Sequence, residues 1–457
     1  MAERDNLFAF DRSNRPGRHV ALKASPPLIL AGGFIILILL GSVLLALPAA
    51  GAASRSIGTF NAFFMATSAV TVTGLSVIDT VHALSGFGKV VLLVLVQLGG
   101  LGFVTFAILT ALAMGRKLSL HEQALALEAF NQTSVSRIRR TAVIVVKTTL
   151  LIEVCAALIL AVWWSRELPF GTALKQGIFH AITAFNNSGF SWFEDSLAPY
   201  AGDAIIILVI TSVIILGGIG FSVLHDTLQK RQWQRLSPYT RVIILATLAL
   251  NLFGFIIIWT LESSNPATLG TMSVSDQALA AWMQSVTART AGFTSIDITQ
   301  LHDSTTLILI MLMFIGGGSL STASGIKVGT FVVLLAAMWS FIRHRRDVQL
   351  MKRRIAPETV QKALALVMVT TLFAFGAVFL LTLFEQRPFI DLLFETISAL
   401  STTGMSRNLT PELSTASKIV LIVVMFAGRI GPLTLVYSLA TRQHSRVRYP
   451  AAEFPVG

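Results

Sequence analysis

The sequence Thr71-Val72-Thr73-Gly74-Leu75 is the first of four related stretches that decide how this chain folds. The other three are Asn186-Asn187-Ser188-Gly189-Phe190, Arg289-Thr290-Ala291-Gly292-Phe293 and Ser401-Thr402-Thr403-Gly404-Met405. Successive glycines of the set are separated by 115, 103 and 112 residues. A nearly constant period indicates an internal repeat, and every other feature of the chain has to be interpreted within it.

The similarity between the four copies extends on both sides of the glycine. Ten positions before it stands an aromatic residue in every copy: Phe64, Phe179, Trp282 and Phe394. Two positions after it stands a hydroxyl residue: Ser76, Ser191, Thr294 and Ser406. Further downstream, each copy has a glycine-rich cluster that begins at Gly99, Gly217, Gly316 or Gly428. Each unit is therefore predicted to contain an outer helix, a half-helix, a glycine loop and an inner helix.

The composition places these helices in a membrane. The chain has 457 residues, of which 54% are hydrophobic and only 13% are charged, whereas soluble domains carry about 25% charged residues. Apolar stretches of about 20 residues are long enough to cross the hydrocarbon core of a bilayer. Eight long spans are predicted, at 27–47, 90–114, 141–164, 204–224, 242–261, 306–341, 363–384 and 419–440. The fold class is thus an all-α integral membrane protein.

The positive charge of the chain follows its predicted topology. The formal net charge is +12, and most Lys and Arg residues lie in the two tails and in alternate connections between spans. This asymmetry is typical of cytoplasmic segments. Both termini are therefore predicted to be cytoplasmic, and no nucleic acid is expected as a partner, because the lipid bilayer accounts for the charge pattern.

The four glycine loops carry the predicted chemistry. Irregular backbone at membrane depth is tolerated only where it is buried in protein or lines a wet cavity, so four such repeats indicate a pseudo-fourfold ion pore. The loops hold no Asp or Glu, which favours cation coordination by backbone carbonyls, as in potassium-selective filters. The residues predicted to form this selectivity filter and to bind potassium are Val72, Thr73, Gly74, Asn187, Ser188, Gly189, Thr290, Ala291, Gly292, Thr402, Thr403 and Gly404.

Together with these loops, three further motifs carry a family resemblance: Gly-Gly-Ile-Gly-Phe at 217–221, Gly-Ile-Lys at 325–327 and Gly-Arg-Ile-Gly-Pro-Leu-Thr at 428–434. Over roughly residues 27–449 the chain resembles the Trk/Ktr/HKT superfamily of potassium transporters. The resemblance implies potassium uptake through a channel-like pore in the bacterial cytoplasmic membrane. It also implies a membrane homodimer and a cytosolic, nucleotide-binding regulatory ring as partner. We expect no covalently bound cofactor, K⁺ as the transported ion and Na⁺ as a candidate activator.

A gate is predicted in the second half of the chain, where span 306–341 is interrupted by small residues that cannot hold a stable helix. Arg429 occupies the column filled in the other repeats by Gly100, Gly218 and Gly317. If those glycines leave room around the pore, Arg429 reaches into it and its charge raises the barrier to a cation. The alternative is an ion pair or a carbonyl cap at a helix contact. The predicted gate residues are Gly316, Gly317, Gly318, Ser319, Ser321, Thr322, Ser324, Gly325, Lys327 and Arg429.

The predicted organisation follows from the repeats. It comprises a cytoplasmic tail at 1–26, repeats at 27–115, 116–230, 231–346 and 347–441, and a cytoplasmic tail at 442–457. The third repeat contains the broken inner helix, with a gating loop at about 316–326. Of the charged residues beside the loops, Glu395 and Arg289 are predicted to brace the filter rather than touch the ion, and His180 is predicted to be packed and hydrogen-bonded.

The sequence favours a pore over three other classes of protein. A sodium-coupled secondary transporter with alternating access would be expected to show inverted repeats, whereas the four copies here share one orientation. A purely structural or receptor protein gives no reason for an intramembrane Arg429 or for the broken span. An enzyme is not expected, because the sequence has no metal-binding His/Glu pair, nucleophile elbow or Walker loop in a suitable context.

Overall fold

A computed structural model of the chain describes residues 26–102 and 135–431. Several sequence predictions fall wholly or partly outside these residues: the two tails, the boundary between the first two repeats at 115–116, and the second halves of spans 90–114 and 419–440. The described residues account for the outer and half-helices of all four repeats, for the four glycine loops, and for the first part of every inner helix.

The described residues form fourteen α-helices, six single-turn 3-10 helices and one short β-hairpin. The α-helices are α1 (Pro26–Ala46), α2 (Thr59–Val70), α3 (Gly86–Leu101), α4 (Val135–Trp164), α5 (Phe170–Phe185), α6 (Ala204–Ile219), α7 (Phe221–Lys230), α8 (Pro238–Glu262), α9 (Val274–Thr287), α10 (Asp303–Phe314), α11 (Val328–Ile342), α12 (Pro357–Phe384), α13 (Phe389–Leu400) and α14 (Thr415–Ile430). The 3-10 helices are Pro48–Ala50, Ala52–Ser54, Ala198–Tyr200, Trp233–Arg235, Ile298–Gln300 and Thr410–Glu412. The hairpin pairs β1 (Gln349–Leu350) with β2 (Arg353–Arg354) in antiparallel register.

One order of elements recurs four times along the chain. An outer helix (α1, α4, α8, α12) precedes a half-helix (α2, α5, α9, α13), which a glycine loop joins to an inner helix (α3, α6, α10, α14). The half-helices form the core of the molecule, and the aromatic side chains of Phe64 and Phe394 at their centres are fully buried. The column of aromatic residues ten positions before each glycine is thus largely a packing column.

The outer helices expose many apolar side chains, and the interior holds buried polar side chains beside its apolar core. Large hydrophobic side chains on the outer helices are exposed, among them Ile36 on α1, Leu151 on α4 and Leu372 on α12. In contrast, Thr67 and Thr183 on the half-helices are fully buried. Because an apolar exterior of this extent is typical of a protein surrounded by lipid, the structure agrees with a largely helical membrane protein.

The spans are less regular than the sequence predicts. Among the described residues, three apolar helical segments are long enough to cross a membrane: Val143–Trp164, Pro238–Glu262 and Pro357–Phe384. The prediction of a continuous span over 204–224 is wrong, because α6 ends at Ile219 and α7 leaves at 102°. The bend lies at Gly220. Its φ is +106°, a backbone conformation that residues with a side chain rarely adopt. After the bend, the Phe221 N–H donates to the carbonyl of Leu320, 2.8 Å away.

Candidate functional site

The four glycine loops begin with the same backbone turn. In each loop the residue two positions before the glycine has a positive φ: Val72 at 58°, Asn187 at 56°, Thr290 at 77° and Thr402 at 50°. Three of these residues are β-branched, for which the left-handed region is strongly disfavoured. A conformation of this kind persists only where the surrounding structure imposes it. The loops are therefore shaped by their packing rather than by local preference.

The loops touch one another in a closed cycle. A Cβ atom on Gly74 would collide with the carbonyl oxygen of Ser188, and one on Gly189 would collide with the backbone of Ala291 and Gly292. In the same way, Gly292 lies against the carbonyl of Thr403, and Gly404 against the carbonyl of Thr73. Each loop thus contacts the next, and the fourth contacts the first. The glycines are needed both for this close approach and for their φ of 69° to 92°.

Hydroxyl groups in the first, second and fourth loops are engaged within their own turns. Thr73 Oγ1 lies 2.8 Å from Thr71 Oγ1, and Thr403 Oγ1 lies 2.8 Å from Ser401 Oγ. The Ser188 hydroxyl donates to the carbonyl of Thr183 at 3.2 Å. These side chains therefore hold the turns, and they leave the backbone carbonyls as the groups able to bind a cation.

The carbonyls that precede the four glycines have no hydrogen-bond donor among the described residues. The four residues that carry them, Thr73, Ser188, Ala291 and Thr403, are all fully buried. A buried carbonyl without a partner is rare and costly in folded proteins. A ring of four of them can be satisfied by a bare cation, which takes carbonyl oxygens in place of water.

Charged and polar side chains surround the loops as the sequence predicts. His180 is fully buried; its Nδ1 lies 2.9 Å from the Gln176 carbonyl and its Nε2 lies 3.2 Å from Ser191 Oγ. The carboxylate of Glu395 accepts hydrogen bonds from Ser406 Oγ, the Arg407 N–H and Thr410 Oγ1. The bonds to Ser191 and to residues 406–410 each join a half-helix to the segment of chain that follows its glycine. These contacts are those of a brace.

The interrupted inner helix of the third repeat lies against the glycine loops and the ends of the half-helices. Helix α10 ends at Phe314 and α11 begins at Val328, and the intervening residues form no helix. This segment, 315–327, is called the intramembrane loop below. Its Gly318 N–H donates to the carbonyl of Gly218 at 2.8 Å. Its Thr322 hydroxyl donates to the carbonyl of Phe185, the last residue of α5, at 3.0 Å. The loop is thus attached to the second repeat near the base of that repeat's glycine loop.

Arg429 joins the intramembrane loop to the first repeat. Its Nη1 donates to the carbonyl of Thr322 and lies 3.4 Å from Ser324 Oγ. Its Nη2 donates to the carbonyls of Gly99 at 2.6 Å and Gly100 at 3.1 Å. Of the two roles considered from the sequence, the carbonyl cap at a helix contact is therefore present. Lys327 makes a shorter-range contact, from Nζ to the carbonyl of Ala323 at 2.6 Å.

The expectation that the three glycines leave room around the pore is wrong at Gly100 and Gly317. A Cβ on Gly100 would collide with the side chain of Asn186, and one on Gly317 would collide with the carbonyl of Gly218. A Cβ on Gly218 would lie 3.2 Å from Asn187 Nδ2. Gly100 and Gly317 are glycine because other parts of the chain pack tightly against the inner helices there.

A buried polar cluster behind the second loop was not identified from the sequence. Glu153 on α4 is buried and accepts hydrogen bonds from Gln97 Nε2 at 3.2 Å and Asn186 Nδ2 at 3.3 Å. Asn186 also donates to Gln97 Oε1 at 2.7 Å. The sequence did provide one signal, since Asn186 stands three residues before the loop glycine, but nothing in it shows which helices meet there.

Comparison with known proteins agrees with this architecture. Residues 28–447 match the TrkH family, described as cation transport protein. The Ktr system potassium uptake protein B of Bacillus subtilis is 43% identical over 95% of this chain and 98% of its own length. The protein of the same description from Vibrio alginolyticus is 40% identical over 95% of both chains.

Two further relatives extend the comparison. The potassium/sodium uptake protein NtpJ of Enterococcus hirae is 33% identical over 96% of this chain and 99% of its own. The crystal structure of the potassium transporter TrkH from Vibrio parahaemolyticus superposes with a TM-score of 0.72, covering 93% of this chain and 87% of that one at 21% identity. This last likeness concerns the fold. A family match over most of the chain, several relatives at 33% to 43% identity and a shared fold lead to one conclusion: the chain belongs to the TrkH family of cation transport proteins and is a transporter rather than an enzyme.

Proposed function

We propose that this chain takes up potassium ions across the bacterial cytoplasmic membrane through a channel-like pore, with the four glycine loops as its selectivity filter. The observation that carries the proposal is the closed cycle of loops, in which the buried carbonyls of Thr73, Ser188, Ala291 and Thr403 accept no hydrogen bond from the part of the chain that the structure describes. Carbonyl oxygens in such a ring replace the hydration shell of a monovalent cation. Each half-helix also directs the partial negative charge of its C-terminal end toward the ring.

The choice of potassium rests on the relatives, two of which are described as potassium uptake proteins of the Ktr system. Another relative is described as a potassium/sodium uptake protein. Each filter loop here keeps one glycine, and its other residues differ from loop to loop. The ring therefore offers fewer equivalent carbonyl sites than a filter of four identical chains. We expect weaker selectivity against sodium than such a filter provides.

The proposed gate is the intramembrane loop together with Arg429. In the described structure, the guanidinium ties the loop to the carbonyls of Gly99 and Gly100 in the first repeat. The loop is tied to the second repeat through Gly217 and Gly218. Opening requires these contacts to break, and the buried positive charge beside the pathway adds an electrostatic barrier to a cation.

The proposed assembly is a membrane homodimer controlled by a cytosolic, nucleotide-binding regulatory ring, with both termini in the cytoplasm. Support comes from the name of the relatives, which describes a protein of a Ktr system, and from the concentration of Lys and Arg in alternate connections. K⁺ is the proposed cargo, and Na⁺ is a candidate activator.

Potassium and sodium flux into proteoliposomes tests this function. Gly74→Ser is expected to lower the K⁺/Na⁺ flux ratio about tenfold, because the new Cβ would displace the carbonyl of Ser188. The matched control is Gly86→Ser, since a Cβ on Gly86 meets no atom within 4 Å. Arg429→Ala is expected to raise potassium flux without changing the ratio.

The outcomes separate the pore from its rival. If Gly74→Ser and Gly86→Ser both keep the parent ratio, the filter assignment fails. If, in addition, potassium flux requires a sodium gradient and saturates at low turnover, a sodium-coupled transporter with alternating access replaces the pore.

A further inference from the structure

We propose that Arg289 is a positioning residue that holds the base of the intramembrane loop against the third filter loop, so that only the distal part of the intramembrane loop moves on opening. The distal part is defined as residues 318–325 of this loop. The neck is defined as the two ends of the loop, where Gly316 and Ile326 lie side by side. The inference rests on the proposed function, because it concerns how the gate opens without disturbing the filter.

Arg289 lies between the filter and the gate. It stands three residues before Gly292, its side chain is only 7% exposed, and its Nη2 donates to the carbonyl of Gly316 at 3.1 Å. Its Nη1 donates to the carbonyl of Thr247 at 3.2 Å and to Asn251 Oδ1 at 3.1 Å, both on α8. One guanidinium therefore connects the outer helix, the filter loop and the intramembrane loop of the third repeat.

The bond to Gly316 is stronger than a neutral hydrogen bond. No carboxylate among the described residues pairs with Arg289, so its buried charge depends on these three neutral oxygens. Hydrogen bonds from a charged donor are roughly twice as strong as neutral ones, and a buried charge is costly when it loses a partner. The carbonyl of Gly316 is accordingly a poor candidate for release during opening.

The neck is closed by contacts that stay within the third repeat. The Gly316 N–H donates to the carbonyl of Ile326 at 2.9 Å, and the Ile326 N–H donates to the carbonyl of Phe314 at 3.2 Å. The Val328 N–H donates to the carbonyl of Gly317 at 3.0 Å. None of these bonds has to break when one repeat moves relative to another.

The contacts of the distal part cross to other repeats. Thr322 binds the second repeat through its N–H, at 3.3 Å from the carbonyl of Gly217, and through its hydroxyl to Phe185. Thr322 and Ser324 also bind Arg429 of the fourth repeat. Relative movement of the repeats breaks this set and leaves the neck closed. The distal part therefore swings as a flap on a fixed neck.

The third repeat alone provides such an anchor among the described residues. The residues that correspond to Arg289 are Thr71, Asn186 and Ser401. Thr71 and Ser401 bond within their own turns, and Asn186 bonds to Gln97 and Glu153. The arginine occurs in the repeat whose inner helix is interrupted by residues 315–327, which is where a neck needs to be held.

The test combines Arg289→Lys with Arg429→Ala and measures the K⁺/Na⁺ flux ratio in proteoliposomes. Lysine keeps the charge but lacks the planar fork that reaches α8 and Gly316 together. Arg289→Lys alone and Arg429→Ala alone are each expected to keep the parent ratio within about twofold, whereas the double variant lowers it about tenfold. The reason is that a neck released by Arg289→Lys can disturb the filter only when Arg429→Ala has also freed the distal part.

The matched control is Arg407→Lys. Arg407 stands three residues after Gly404, as Arg289 stands three before Gly292, and it bonds to Asp391, Thr306 and Thr299 without contacting the intramembrane loop. The double variant Arg407→Lys with Arg429→Ala is expected to keep the K⁺/Na⁺ flux ratio of Arg429→Ala alone. The proposal is wrong if Arg289→Lys with Arg429→Ala also keeps this flux ratio, or if Arg289→Lys alone lowers it about tenfold.

A labelling experiment tests the neck independently of ion transport. In a Cys155→Ser background, which removes the single cysteine, Ser321→Cys reports on the distal part and Ile326→Cys on the neck. Arg429→Ala is expected to increase the reaction of Ser321→Cys with a water-soluble thiol reagent about tenfold and to leave Ile326→Cys unchanged. Adding Arg289→Lys makes Ile326→Cys reactive. Reaction of Ile326→Cys in Arg429→Ala alone would overturn the proposal, even if the parent proved unselective and the proposed filter failed.

Discussion

Gly404 in the fourth glycine loop lies against the carbonyl oxygen of Thr73 in the first, and this contact closes the cycle of four loops. The two residues belong to opposite ends of the chain, so the cycle exists only when the first and last repeats are brought together. Closure matters because an open row of loops would leave its carbonyls exposed on one side. A closed cycle has no such open side.

Gly404→Ser is expected to disturb the ring without unfolding the chain. The new Cβ would meet the Thr73 carbonyl, and the φ of 85° at this position is strained for any L residue. We expect the K⁺/Na⁺ flux ratio to fall about tenfold, as measured in proteoliposomes.

Gly376→Ser on α12 is the control for that variant, because a Cβ there meets no atom within 4 Å. It is expected to keep the parent ratio. Equal ratios in Gly404→Ser and Gly376→Ser would show that the contact between the first and fourth loops does not shape the filter.

Arg429→Lys separates a clamp from a charge barrier. Lysine keeps the positive charge but cannot reach Thr322 and the Gly99–Gly100 carbonyls together as the guanidinium does. If the clamp closes the gate, basal potassium flux in Arg429→Lys rises nearly as far as in Arg429→Ala, by about tenfold. Flux equal to the parent would instead assign the barrier to the charge alone. Rubidium uptake into proteoliposomes without any partner protein measures the difference.

Glu395→Gln is expected to destabilise the fourth half-helix. The carboxylate accepts from Ser406 Oγ at 2.5 Å, from the Arg407 N–H at 3.1 Å and from Thr410 Oγ1 at 2.7 Å. In glutamine, one of the two accepting oxygens is replaced by an NH₂ group, which would face a hydrogen-bond donor. In a buried site this lowers the free energy of unfolding by about 2 kcal/mol. Thermal unfolding in detergent measures the loss.

Glu412→Gln is the comparison for that loss, because Glu412 forms an exposed ion pair with Arg387 at 2.7 Å. Pairs of this kind contribute less than about 1 kcal/mol, so the melting temperature should hardly change. A larger shift for Glu412→Gln than for Glu395→Gln would contradict the bracing role of the buried carboxylate.

His82, in the segment that follows Gly74, is expected to give the stability of the fold a small dependence on pH. A hydrogen bond from its ring to Asp79, and the charges of Asp79 and Glu194, raise the pKa of His82 above its ordinary value, while Lys89 opposes them. The folded state therefore gains stability below the ordinary pKa of histidine, and this gain disappears as the pH rises through the raised pKa.

His82→Gln removes that contribution. The difference in melting temperature between about pH 5.5 and about pH 8.5, which bracket the ordinary histidine pKa, should be smaller in the variant than in the parent. Because His82 is exposed to solvent, salt should reduce the parent's difference. An unchanged difference in His82→Gln would show that the titrating group lies elsewhere.

The sequence was sufficient to predict the repeated unit. The order of outer helix, half-helix, loop and inner helix follows from local hydrophobicity and from glycine at fixed positions, such as Gly74 and Gly404. Both signals are short-range, because a residue's transfer into lipid and its backbone preference depend little on distant parts of the chain. For the same reason, the break in the third inner helix was visible as a run of small residues after Gly316.

Only the tertiary structure decided which parts of the chain meet. Arg429 binds Thr322, 107 residues away, and Gly99, 330 residues away, and no local pattern encodes either partner. The same holds for Glu153 with Asn186 and for Arg289 with Gly316. It also holds for the bend at Gly220, after which the Phe221 N–H finds its acceptor, the carbonyl of Leu320, in another repeat. The glycines opposite Arg429 show the limit clearly: a missing side chain can mean open space or close packing, and only the position of the neighbouring backbone distinguishes the two.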